Sequence, residues 1–161
     1  MADKNKEIEF GVKIKNPKAV KAYLRRNSKK EQVFHISRDI YKNKSKYFIK
    51  ISKETTGKTT SAVFSLKEDL LSKGVAEGLK VAEEIDVKVS KEQLNKLVDI
   101  VRLFSFKKKT HFKKTRYQYQ IQGVVVTVDE YDGGVNLEVE GSSQDKVTRV
   151  VKQIPYEETT G

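Results

Sequence analysis

Hydrophobic and polar residues alternate along most of this chain. From Glu7 to Lys15, Ile8, Phe10, Val12 and Ile14 fall on one parity, and Glu7, Glu9 and Lys13 on the other. Successive side chains of a strand point to opposite faces, so this pattern predicts a strand with one apolar and one ionic face. The same period recurs over Tyr47–Lys53, about Ser61–Lys67, Lys80–Val89, His111–Gln122, Val124–Glu130 and Val135–Glu140, with Val33–Ser37 as a further candidate. Gln122-Gly123 and Asp132-Gly133-Gly134 read as turns between strands. Three segments switch to spacings of three and four, which predicts helices. Asn16-Pro17 starts the first, as N-cap and first helical residue, with Val20, Tyr23 and Leu24 on one face. Ser90 and Gln93 form a capping box before Leu94, Leu97, Val98 and Val101. Ser142-Ser143 opens the third, with Val147, Val150, Val151 and Ile154 on one face. Leu66–Gly78 reads as a loop with one helical turn. The expectation is one α+β domain of mostly antiparallel sheet, with polar ends at Met1–Lys6 and about Tyr156–Gly161.

The polar faces repay a closer look. Lys50 opposes Ile49 and Ile51. Glu84, Asp86 and Lys88 oppose Ile85, Val87 and Val89. Lys114 and Arg116 oppose Tyr117 and Tyr119, Thr127 and Asp129 oppose Val126 and Val128, and Glu138 and Glu140 oppose Leu137 and Val139. Two arrangements fit. In an open sheet, the charged faces lie in water and the apolar faces on a core. In a rolled sheet, the charges line an interior and the apolar faces turn outward, under the helices. Glu7/Glu9 and Glu138/Glu140 weigh toward the second, because like charges two residues apart on one face repel without a partner. Such pairs suit a hard divalent cation with oxygen ligands, Mg or Mn, while Lys and Arg on the other strands suit phosphate oxygens. The alternation by itself leaves both arrangements open.

Composition narrows the chemistry. The 161 residues carry 33 Lys and Arg against 22 Asp and Glu, a net charge of +11, which points to anionic partners without choosing among them. There is no cysteine, which excludes disulfides and thiolate chemistry, and two histidines leave little for a zinc site. No apolar run approaches a membrane span, so a cytoplasmic protein with no membrane partner is expected, as monomer or homodimer. His35 and His111 read as structural or surface residues, and Lys107-Lys108-Lys109 as a solvated loop rather than a nucleic-acid patch.

At these residues the sequence resembles the CYTH superfamily, the triphosphate tunnel metalloenzymes, over nearly its whole length. The family's opening E-x-E-x-K resembles Glu7-Ile8-Glu9-Phe10-Gly11, its L-R-I-R resembles Ile49-Lys50-Ile51-Ser52, and its Y-K resembles Leu66-Lys67. Its R-x-E-x-E resembles Ala82-Glu83-Glu84-Ile85-Asp86, and its K-x-R is Lys114-Thr115-Arg116. The following D-E is Asp129-Glu130, and the closing F-x-E-x-E-G resembles Leu137-Glu138-Val139-Glu140-Gly141. The resemblance implies a closed eight-stranded antiparallel β-barrel holding a triphosphate, flanked by about three helices. It implies that Glu7, Glu9, Asp129, Glu138 and Glu140 hold a divalent metal, Mg or Mn. Lys50, Lys67, Lys114 and Arg116 would grip phosphate, and Glu84 and Asp86 would support them; Glu7, Glu9, Lys114 and Arg116 form the expected catalytic set. Gly11, Ser52 and Ala82 stand where the family has cations, with Lys13 as candidate replacement for the first. The activity implied is hydrolysis of inorganic, nucleoside or thiamine triphosphate. The alternatives are a class IV adenylate cyclase and a non-catalytic binder of polyphosphate, nucleotide or RNA.

Overall fold

The computed structural model describes residues 6–71 and 78–160. Eight antiparallel strands, β1 (Lys6–Ile14), β2 (Glu31–Lys42), β3 (Tyr47–Thr56), β4 (Thr59–Leu71), β5 (Leu79–Val89), β6 (Lys107–Ile121), β7 (Val124–Tyr131) and β8 (Gly134–Gly141), close into a barrel in the order β1-β5-β4-β3-β2-β6-β7-β8. Helices α1 (Pro17–Asn27), α2 (Lys91–Leu103) and α3 (Gln144–Gln153) lie outside it. Closure joins β1 to both β5 and β8, so the barrel has no open edge. No described helix is long and apolar enough to cross a membrane.

The rolled arrangement is the one observed, and the core therefore lies outside the sheet. Val126, Val128, Leu137 and Val139 are fully buried with Val20 and Leu24 of α1 and Val147 and Val150 of α3. A second cluster puts Leu94 and Val101 of α2 against Tyr41, Ile49 and Ile51. The period of two on the strands meets the period of three and four on the helices, and both apolar stripes are satisfied at once. Lys21 seats α1 through Glu130 on β7, at 2.5 Å, with its ammonium 4.0 Å from the Tyr117 ring centre.

Val33–Ser37 is strand as expected, within the 12 residues of β2. Other local expectations are corrected. Lys107–Lys109 is the exposed start of β6, paired with the end of β2, not a loop. Leu66–Leu71 continues β4 as strand because it pairs with β5; residues 72–77, the rest of the expected loop, lie outside the described residues. Asn16 makes no side-chain cap on α1. Its amide donates to the Pro155 carbonyl at 2.9 Å and accepts from the Glu157 amide at 2.8 Å. The expected C-terminal polar tail is thereby drawn along β1, where Lys15 donates to Glu157 and Thr159 to Lys13 through their backbones. Ser90 and Gln93 do form the full capping box of α2.

Candidate functional site

The strand register sets the interior. Glu9 lies opposite Glu140, Gly11 opposite Glu138, Lys67 opposite Glu84, Ser65 opposite Asp86, and Arg116 opposite Asp129. Directly paired residues share a face, so these side chains all point inward. They enclose a cavity of about 240 Å³ lined by Glu7, Glu9, Arg38, Lys50, Glu54, Lys67, Glu84, Asp86, Lys114, Arg116, Glu138 and Glu140, among others.

Two ionic clusters divide this lining. In one, Arg116 grips Asp129 through two bonds, Nε to Oδ1 at 2.8 Å and Nη2 to Oδ2 at 2.7 Å. Lys114 donates to the same carboxylate at 2.5 Å, and Glu138 stands 3.5 Å from Arg116. Burial would raise the carboxyl pKa of Asp129, but the bonds from Arg116 and the charge of Lys114 win and lower it. Burial and the neighbouring Arg116 bring the Lys114 ammonium down to about 8. In the other cluster Lys67 reaches Glu9 at 2.7 Å and Glu84 at 3.6 Å, and Lys50 also pairs with Glu84. Burial is again overcome at Glu84, whose pKa the two lysines lower.

The remaining acids are short of cations. Burial, then Glu84 and Glu9, raise the Glu7 carboxyl; burial and the charge of Glu84 raise Asp86 against a hydrogen bond from Ser65 that lowers it. Glu140 is pushed up to about 7 by burial and by Glu7. Among the described residues, with Asp129 and Glu54, eight interior carboxylates face five interior cations. That surplus is a place for a cation. Glu7, Glu9 and Glu84 each offer an oxygen within 4.8 Å of the others, a hard-donor set suited to a divalent ion. Asp129 differs, because its oxygens are already engaged by Lys114 and Arg116.

Lys13 sits apart from this lining. It is exposed at the end of β1, opposite Asn136, with its stem against Gly134. Ala82 is fully buried opposite Glu7. Gly11 has open space, its nearest neighbour to an added Cβ being the Glu138 Cγ at 3.9 Å. Ser52 is occupied in an unexpected way: Arg38 of β2 lies directly opposite and donates from Nε to its hydroxyl at 2.8 Å. Sequence reasoning missed Arg38. Its face of β2 also carries Phe34, Ile36 and Ile40, so no ionic alternation marks it; an arginine between two isoleucines in a strand was the only signal. A wider groove of about 530 Å³ beside the start of α2 gathers Lys53, Lys88 and Lys91, but no carboxylate.

No family profile and no curated protein matches this sequence. Solved structures do. A conserved hypothetical protein of Pyrococcus furiosus, Pfu-838710-001, superposes with a TM-score of 0.74 at 18% identity, covering 94% of this chain and 91% of that one. HpAC1 of Hippeastrum, a candidate adenylyl cyclase with a dominant triphosphatase activity, gives 0.63 at 18% identity over 96% and 91%. A chain of the Schizosaccharomyces pombe Mediator head module gives 0.68 at 9% identity over 92% of each. The chain shares a barrel fold both with a protein of dominant triphosphatase activity and with a chain of the Mediator head module, so the fold alone does not assign the activity.

Proposed function

We propose that this protein is a metal-dependent hydrolase of triphosphate-containing compounds, bound inside the barrel. The observation that carries the reading is the convergence of five cations and eight carboxylates from all strands on one 240 Å³ interior. Burying so many charges is unfavourable unless ligands complete their pairing. Phosphate oxygens would meet Arg38, Lys50, Lys67, Lys114 and Arg116. Glu7, Glu9 and Glu84, with Glu138 and Glu140 beside them, would hold a divalent ion; Asp129 would fix Lys114 and Arg116, and reach metal only by releasing them. A bound divalent ion supplies charge neutralisation and an acidified water. The residues do the positioning: Arg116 and Lys114 hold the phosphoryl group against displacement, and Asp129 keeps both aimed. With acids in surplus, phosphate binding depends on metal. The test is phosphate release from triphosphate with Mg or Mn and with chelator, in wild type and in Glu138→Ala/Glu140→Ala. Metal-dependent release that falls at least about 100-fold in the variant is expected; unchanged release sinks the proposal. Cyclic AMP from ATP would instead make the protein a cyclase. The missing cations at Gly11 and Ala82 favour, as second reading, a barrel that binds without turnover; protection against heat by triphosphate and metal, with no phosphate released, would establish it.

A further inference from the structure

The interior does not end at its charges. Beyond Arg38 and Lys114 lies a second cavity of about 400 Å³ walled by Thr110, Phe112, Tyr131 and Asn136. Arg38, Lys114 and Glu138 line both spaces, so the two adjoin at those side chains. The register confirms the direction of the walls: Phe112 lies opposite Arg38 on the inner face, and Asn136 opposite Asp129.

The chemistry changes across the threshold. Arg38, Lys114, Asp129 and Glu138 border the second cavity on the tunnel side, and two aromatic rings, a hydroxyl and an amide complete its wall. The Tyr131 ring is held in place on two sides. Its hydroxyl donates to the Asn136 Oδ1 at 3.0 Å, and its edge lies on the Gly133 backbone so closely that an added Cβ there would come within 2.6 Å of it. The Lys114 ammonium stands 6.0 Å from the Phe112 ring centre. An inorganic polyphosphate would meet Arg38 and Lys114 but gain nothing from the rings. A flat organic group would, through its faces on the rings and its edges on Thr110 and Asn136.

We infer that this chamber receives the organic part of a triphosphate ester, a nucleobase or a comparable heteroaromatic ring, with Arg38 at the threshold between ring and phosphates. The inference rests on the triphosphate reading above and narrows it: the substrate is an organic triphosphate rather than the inorganic ion.

The test is calorimetric titration, with Mg, of the imido-bridged analogues of ATP and of inorganic triphosphate. The variant is Phe112→Leu, which keeps apolar bulk and loses the ring; its unfolding temperature is measured alongside, and Asn136→Leu serves if it does not fold. The wild type binds the ATP analogue at least about tenfold more tightly than the inorganic one, and the variant loses about tenfold for the ATP analogue only. Equal affinities in the wild type, or equal losses in the variant, overturn the chamber's role while triphosphate binding stands. Failure of the wild type to bind either probe overturns the proposed function, and this inference with it.

Discussion

Arg38 and Ser52 are a pair in which a cation has changed strands. The family resemblance expects an arginine where Ser52 stands, and β2 supplies one from directly across the ladder, hydrogen-bonded to that serine. Among the described residues, Arg38 has its nearest carboxylate, Glu54, 4.0 Å away, whereas Lys67, Lys114 and Arg116 have carboxylates at 2.7 Å or less. A guanidinium in that state has donors to give to phosphate. Arg38→Ser is expected to weaken triphosphate binding about tenfold or more, measured by titration with metal. Adding Ser52→Arg to that variant should recover most of the loss, because the side chain then enters the same space from the facing strand; no recovery would show that Arg38 acts through its own backbone position. Gly11→Lys is expected to tighten triphosphate binding severalfold without loss of stability, since nothing lies nearer than 3.9 Å to its Cβ. That the charged residues from Glu7 to Glu140 share faces was legible at this scale from parity; that those faces turn inward was not, because alternation fits an open sheet equally well. Arg38 was not, because Ile36 and Ile40 share its face, and parity reports faces rather than neighbours.

At the scale of elements, what was legible depended on where hydrogen bonds go. The strands and all three helices could be read because their apolar periods are set by the outer core. The ends could not: the final residues of β2, the first of β6 and the last of β4 pair across the ladder despite sequences rich in Lys, Glu and Asp. Asn16 shows the same limit. A residue type suited to capping α1 bonds 139 residues away instead, because the C-terminal segment offers it a carbonyl and an amide. Asn16→Ala is therefore expected to cost about 1–2 kcal/mol through two lost bonds. The loss should show as faster hydrogen exchange at Thr159, whose amide bonds to Lys13, with α1 itself unaffected. Faster exchange confined to the first turn of α1 would restore the capping role.

For the molecule as a whole, the interior acids govern how stability follows pH. Glu140 titrates near 7 in the folded, ligand-free barrel against 4.5 as the ordinary value, and Glu7 and Asp86 are shifted the same way. Between those values the folded state holds more protons than the unfolded chain, so stability falls as pH rises from about 4.5 to 7. A shift of that size corresponds to about 3 kcal/mol for Glu140. The opposing carboxylates Asp129 and Glu84 have lowered values, and their contribution is lost only when pH falls through those values, below the window. Lys114, brought down to about 8, acts only above the window: from there to about 10.5 the unfolded chain holds the extra proton, so its penalty shrinks as pH rises. Unfolding followed by circular dichroism in chelator is expected to show the midpoint temperature dropping by several degrees from pH 5 to pH 7. Mg or Mn should abolish the drop, because an ion held by the acids lowers the pKa that burial raised. A chelated protein whose midpoint rises over that interval would mean that the interior carboxylates are already neutralised by the protein's own cations, and that the barrel has no room for a metal.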